Sequence, residues 1–410
     1  MAESPESSST AGRAVRWTSA LSNHKDMDPA LDELLDALIP TLDPENIHLL
    51  LVFATTRHER ALEDAAGRLK RAFPHACLLG CAARGIFGAG REIEEDFGIA
   101  AAAAQFKAAV TISPFHFDGT KDLPHSRAAW LDTLKMPSDA TPHFILLADP
   151  FFGETQRLLN NLDQNFPQST KMGGLASGGA FPGSSALLSC NDIHYFGITG
   201  IAMHGEFILD SIVAQGCRPI GHPMFVTKTR GNVILELDAG PPVKVLHELH
   251  ESLSPRDKTL FSSSPLIGIR VERHPLTGFD SPPRSGDFLI RHIGSIDAGT
   301  GALELGAVPH KWSVVQFHIR DVQSAMDELD SQLARYKAKH LHDPPPSGAL
   351  VCSCLGRGQA FFGQAHYESN ALKRCLGDIP MIGFFGNGEI GAVGGSTFLH
   401  SYTSALALFH

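Results

Sequence analysis

No stretch of this 410-residue chain stays apolar for the ~20 residues that a membrane-spanning helix needs, and the longest apolar runs, near Phe97–Phe106 and Ala405–Phe409, fall well short. The N-terminal residues Met1 to Arg13 are Ser-rich and acidic with no apolar core, so a secretory signal is not expected. Basic blocks are missing too. With 34 Lys and Arg against 44 Asp and Glu, the net charge of −10 argues against nucleic acid or an anionic membrane as the main partner, because both reward a basic patch. The seven cysteines are an odd number without regular spacing, which reads as reduced thiols in a reducing compartment. No P-loop, G-x-S-x-G, H-x-x-x-H or H-E-x-x-H pattern occurs, so hydrolase and kinase chemistry lack support. These absences place the protein in the cytoplasm and call for no metal and no cofactor.

What is present is a soluble, globular composition, 43% hydrophobic and 19% charged, rich in Gly and Pro and long enough for two or more domains. A polar tail covers residues 1–16. A buried strand is then expected at Ile47–Ala54, an amphipathic helix at His58–Phe73, and an apolar run at Cys77–Gly80 leading into a glycine-rich loop to Gly90. A further strand follows at Phe97–Phe106. The same order returns as strand His143–Ala148, helix Glu154–Phe166, a glycine loop at Lys171–Gly179 and strand His194–Met203. It returns again as strand Ala349–Cys354, helix Glu368–Leu376, a glycine loop at Pro380–Gly391 and strand Tyr402–Phe409. Gly80 and Gly85, Gly173 and Gly178, and Gly383 and Gly388 keep one spacing, which points to internal repetition. The fold class is therefore α/β, with mixed α+β as the alternative: repeated strand–helix–strand units with glycine-rich turns, in two regions packed together. An insertion of roughly residues 204–340 separates the second and third copies, and the stiff linker His342–Gly348 closes it. The domain boundary is placed near Gly240, giving regions 17–240 and 241–410.

Several longer motifs carry a resemblance. They are Leu79-Gly80-Cys81, Leu147-Ala148-Asp149-Pro150, Gly173-Gly174-Leu175-Ala176-Ser177, and Ala214-Gln215-Gly216-Cys217-Arg218-Pro219-Ile220-Gly221. In the C-terminal half they are Gly286-Asp287-Phe288-Leu289-Ile290-Arg291, Phe317-His318-Ile319-Arg320-Asp321, and Gly383-Phe384-Phe385 through Gly388-Glu389-Ile390-Gly391. With these the chain resembles the FIST family (F-box and intracellular signal transduction proteins), as a FIST N region followed by a FIST C region from Trp17 onward. The resemblance implies a sensory module that binds a small ligand, with amino acids or related metabolites as the proposed class. Neither terminus has room for an output domain, so the signal is expected to pass through a separate partner or a change of assembly, such as a homo-oligomer.

The G-x-G-x-x-G at Gly386, Gly388 and Gly391 fails as a dinucleotide fingerprint, since Gly394-Gly395 follow where a helix should open and no acid lies ~20 residues on. Glu389 is the residue to single out: a carboxylate there can hold an ammonium group while loop N–H groups and an arginine hold a carboxylate. Arg84 in the first loop and Arg357 after the third strand are the candidate arginines, and Asp149 ends the second strand. The plain alternative is that Glu389 and Arg84 cap turns or pair with each other. Ser177 and Asn387 occupy the second and third loops. Cys81 is a candidate nucleophile, with His400 or His194 as base, although a small apolar core residue is the better reading for every cysteine. The expected ligand set is Cys81, Arg84, Asp149, Ser177, Arg357, Asn387, Glu389 and His400. Three readings follow: a ligand-binding sensor, an enzyme using the same pocket with Glu389 as base or Cys81 as nucleophile, and a scaffold whose glycine loops are structural.

Overall fold

The computed structural model describes residues 14–58, 60–190, 192–271, 286–297 and 299–410. Its class is the mixed α/β one expected. The first unit runs β1 (Val15–Ser22), α1 (Met27–Leu38), β2 (Leu49–Thr55), α2 (Ala61–Ala72), β3 (Cys77–Ala83), β4 (Gly85–Gly88), β5 (Arg91–Glu94) and β6 (Ile99–Phe106). The second runs β7 (Val110–Phe117), α3 (Arg127–Thr133), β8 (His143–Ala148), α4 (Thr155–Asn165), β9 (Lys171–Leu175), β10 (Leu187–Ser189), β11 (Asp192–His194) and β12 (Ile198–Gly205). A third begins with β13 (Leu209–Gln215) and is interrupted by β14 (Cys217–Arg230), β15 (Val233–Leu237), α5 (Pro242–Ser252), α6 (Pro255–Ser263), β16 (Leu266–Arg270), β17 (Phe288–Ile296), β18 (Leu303–Leu305) and β19 (Val314–Arg320). It resumes with α7 (Val322–Lys339), β20 (Gly348–Cys354), α8 (Gln359–Phe362), α9 (Tyr367–Leu376), β21 (Met381–Gly386), β22 (Gly388–Val393), β23 (Ser396–His400) and β24 (Thr403–Phe409). The interrupting strands close into a barrel, β14-β15-β18-β17-β16-β19, and residue 240 lies inside that segment, between β15 and α5.

Three six-stranded sheets form the body, in the orders β1-β6-β2-β3-β10-β11, β7-β12-β8-β9-β22-β23 and β13-β24-β20-β21-β4-β5. In each, the one parallel pair (β2 with β3, β8 with β9, β20 with β21) is joined through a helix, as a parallel connection requires. The outer hairpin of each sheet comes from a different unit: β10–β11 completes the first sheet, β22–β23 the second and β4–β5 the third. The exchange is cyclic. One face of every sheet faces a common core that includes Phe53, Leu79, Ile145, Met172, Cys352 and Phe384. Helices cover the opposite faces, α1 and α2 over the first sheet, α3 and α4 over the second, α7 and α9 over the third. Strands covered on both faces must be apolar throughout, which is why β2 reads as the unbroken run Leu49–Thr55. In α2, Leu62, Ala65 and Leu69 give the buried stripe, with Glu63 and Asp64 in the first turn and Lys70 and Arg71 in the last. Among the described residues no helix is long and apolar enough to cross a membrane.

The glycines expected in loops lie on strands instead. Gly80 sits opposite Val52, Gly173 opposite Leu146 and Gly383 opposite Val351, each across the parallel pair of its own sheet. A Cβ added to them would lie 1.8 Å from Val52 O, 1.8 Å from Leu146 O and 1.9 Å from Val351 O. Close approach of the neighbouring backbone, rather than turn formation, requires glycine at these positions. The expectation of seven free thiols is also corrected: Cys77 and Cys190 are joined as a disulfide, and Cys81, Cys217, Cys352, Cys354 and Cys375 are free.

Candidate functional site

Glu389 lies on β22 between Gly174 of β9 and His400 of β23. It is fully buried, and its Oε2 accepts from the backbone N–H of Thr403, where β24 begins, at 3.2 Å. Its Oε1 has no partner among the described residues. Burial pushes the carboxyl well above its ordinary range; the Thr403 N–H and the Arg357 guanidinium oppose the shift, and Glu368 adds to it. The thiol of Cys354, at the end of β20, is a further hydrogen-bond neighbour, and burial raises it to about 12. Burial, the largest influence, thus favours the neutral form of Glu389, and the Arg357 guanidinium opposes it only in part.

Arg357 follows β20 and is 1% exposed. Its Nε donates to Glu368 Oε1 at 2.7 Å and Nη1 to Tyr402 O at 3.4 Å, while Nη2 has no partner among the described residues. The guanidinium also lies 5.4 Å from the centre of the Phe362 ring. Glu368, in the first turn of α9, accepts from Ser404 Oγ at 3.0 Å on its other oxygen. Gly216, at the entrance to the barrel, leaves room for this arrangement: a Cβ there would meet Arg357 Nη1 at 2.5 Å. Nearby Glu92, on the hairpin β4–β5 contributed by the first unit, accepts from Ser369 N at 2.8 Å. Burial pushes Glu92 up to about 7 despite that bond. Glu92 also lines a cavity of about 310 Å³ bounded by Arg91, Glu94, Gln359 and His366. The cluster thus holds one buried arginine and three buried carboxyl groups at the meeting of two units and the barrel.

The remaining expected residues divide into groups. Arg84, Ser177 and Asn387 stand at corresponding positions of the three units and meet at one junction. Ser177 Oγ donates to Phe385 O at 2.5 Å and accepts from Arg84 N at 3.0 Å, and Asn387 Nδ2 donates to Ala176 O at 3.1 Å. The Arg84 guanidinium pairs with Glu95 at 2.5 Å, half exposed, and not with Glu389. His400 is directly paired with Glu389 in the strand ladder, and burial holds it down at about 4, with its Nε2 3.1 Å from Gly391 O. Asp149 is buried elsewhere, at the end of β8, with Oδ1 accepting from Phe151 N at 3.4 Å and Oδ2 unpartnered among the described residues. Cys81 is a core residue of β3, and burial drives its thiol well upward, the opposite of what a nucleophile needs. Glu368, Glu92 and Ser404 were not legible as site residues. Glu368 reads as an ordinary acid in a first helical turn, and Glu92 reaches the cluster only because its hairpin crosses into another unit.

The family model described as FIST N domain matches residues 48–240, and the one described as FIST C domain matches residues 244–392. An uncharacterized protein of Mycobacterium tuberculosis is 34% identical over 361 residues, spanning 88% of this chain and 91% of that protein. An uncharacterized protein of Mycobacterium bovis is 31% identical over the same length, spanning 88% of this chain and 90% of that one. Human F-box only protein 22 is 29% identical over 131 residues, 28% of this chain and 32% of that protein. A crystal structure of chorismatase aligns with 97% of this chain and 99% of its own at 10% identity, with a TM-score of 0.32, too slight a likeness to argue from.

Proposed function

The chain belongs to the FIST family, whose domains are sensory domains of signal transduction, and on that premise we propose that it binds a small zwitterionic ligand at the Arg357–Glu389 cluster. The observation that carries the reading is a pair of buried atoms of opposite character, Glu389 Oε1 and Arg357 Nη2, neither of which has a partner among the described residues. Such atoms cost roughly 1–3 kcal/mol each when left unmade, which a ligand recovers on binding. An ammonium group suits Glu389 Oε1 and a carboxylate suits Arg357 Nη2, the pattern of an amino acid or a related metabolite. Burial favours the neutral form of Glu389 and an ammonium group its charged form, so binding of the ammonium is linked to loss of a proton from this carboxyl.

Occupancy shifts the signal only if the ligand prefers one arrangement of the protein. The cluster joins β22 of the second sheet, β20 and β24 of the third, and Gly216 at the barrel, so it is suited to report on how they pack. We read the protein as a cytoplasmic module that acts through a separate signalling partner or a change of assembly. We also read the three units as internal repeats of one ancestral unit, the shared strand order being the support.

A thermal-shift screen of the purified protein against the proteinogenic amino acids and common metabolites tests the assignment. Stabilisation by one ligand class in the wild type, lost in Glu389→Gln and Arg357→Lys, is the expected result. No stabilisation at millimolar concentration, or stabilisation that survives both substitutions, sinks it.

A further inference from the structure

Each of the three exchanged hairpins meets its host strand over three residue pairs. What secures them beyond that differs. The β22–β23 hairpin is bound to α4, where Asp163 accepts from Thr397 N and Oγ1 and Gln156 accepts from Leu399 N. The β4–β5 hairpin is bound to the helices of the third unit, where Glu92 accepts from Ser369 N and Glu94 from Gln359 N. The β10–β11 hairpin has the shortest strands, three residues each. It is secured by a surface hydrogen bond from Tyr195 to Glu63 and by the Cys77–Cys190 disulfide. Cys77 opens β3, and Cys190 sits in the hairpin turn with φ +50°, its N–H donating to Leu78 O at 2.6 Å. The two lie 113 residues apart in sequence and 4.9 Å apart between Cα atoms.

We propose that Cys77–Cys190 is a reversible thiol–disulfide latch controlling how the β10–β11 hairpin docks on the first sheet. Disulfides that form in a reducing compartment are usually transient and redox-sensing, and this step rests on the cytoplasmic location proposed above. Cys190 is the more exposed residue, so an incoming thiolate attacks its sulfur and Cys77 leaves as the thiolate. A second thiol of the same reductant resolves the mixed disulfide. Two electrons and two protons pass from the dithiol to the cysteines, and the dithiol departs as its own disulfide; oxidised glutathione reverses the reaction. Release is felt beyond the hairpin. The segment before it carries Ser177, which ties Arg84 to Phe385, and Ala82 of β3 accepts from Gly178 N and donates to Ala186 O.

The test is mass spectrometry of the full chain, alkylated under denaturing conditions with and without reduction, together with limited proteolysis of the folded protein. Without reduction Cys77 and Cys190 resist alkylation, and after reduction both are labelled. Equilibration in graded glutathione buffers shifts the pair between the two states reversibly. Cleavage between residues 176 and 197 becomes about tenfold faster in the reduced protein and returns to its former rate on reoxidation. Cys190→Ser matches the reduced wild type in cleavage, and because reduction of the wild type makes the same comparison, a poorly folding variant does not blunt the test. Full alkylation of all seven cysteines without reduction overturns the latch. So does a bond that millimolar glutathione cannot open, or cleavage indifferent to its state. Cell fractionation that finds the protein outside the cytoplasm overturns the location alone, leaving a latch that titrates with glutathione in place.

Discussion

Arg357 and Glu368 form an ion pair that water does not reach, Nε donating to Oε1 across 2.7 Å with both side chains at most 1% exposed. Removing one partner of such a pair strands the other as a buried charge. Glu368→Ala is therefore expected to destabilise by about 3–5 kcal/mol. Replacing both with apolar residues of similar volume, Arg357→Met with Glu368→Leu, is expected to recover much of that loss. Urea unfolding of the three variants checks this. A single substitution costing under about 1 kcal/mol would refute the buried pair.

Glu92 makes stability fall as pH rises. Burial lifts its folded-state value from 4.5 to about 7, so the native protein keeps a proton that the unfolded chain has released. Its contribution is whole below pH 4.5 and is lost as pH climbs through about 7. The loss amounts to about 3 kcal/mol. Glu92→Gln fixes the neutral form. The wild-type and variant unfolding free energies, measured across that window, should agree at its acid end and diverge as pH climbs through about 7, the wild type losing stability that the variant keeps, and parallel curves would contradict the assignment.

Periodicity and punctuation carried the strand–helix–strand order, because an apolar run such as Leu49–Thr55 and an amphipathic stretch such as Ala61–Ala72 obey local rules. They could not carry the exchange of hairpins. Gly85–Gly88 and Leu187–Ser189 are too short to read as strands, and what completes them is another unit's edge. The site shows the same division. Glu389 stands out in a run of glycines, and Arg357 stands just past a strand. Glu368 and Glu92 join them only through long-range packing, at separations no motif spans. The Cys77–Cys190 bond was hidden for that reason as well.

Two buried histidines act in the opposite sense to Glu92. His400 and His318 are each held at about 4, against an ordinary value of 6.5, by burial. Their neutral forms are favoured in the fold, so the stability they contribute is complete above pH 6.5 and is lost as pH falls toward about 4. Each accounts for about 3 kcal/mol. His400→Gln retains an amide donor for Gly391 O and lacks the titration. Its acid unfolding midpoint should move lower than that of the wild type, and a midpoint that moves higher would show that the imidazole is not the destabilising group.

The three strand glycines make the sharpest prediction about the body of the fold. A methyl group at Gly80, Gly173 or Gly383 would sit inside the van der Waals radius of a main-chain carbonyl, which cannot swing away as a side chain can. Alanine at each is expected to cost more than about 3 kcal/mol, the upper part of the range for overpacking. Gly153, by contrast, has nothing within 4 Å of the added atom and no left-handed φ, and Gly153→Ala should be neutral within about 0.5 kcal/mol. Thermal and urea unfolding of the four variants separate two explanations of the glycine pattern. If the three positions serve only the approach of neighbouring strands, their losses are similar and occur without ligand. If Gly383→Ala is tolerated while Gly80→Ala and Gly173→Ala are not, the third sheet can relax around β21, and glycine there is kept for the cluster beside it.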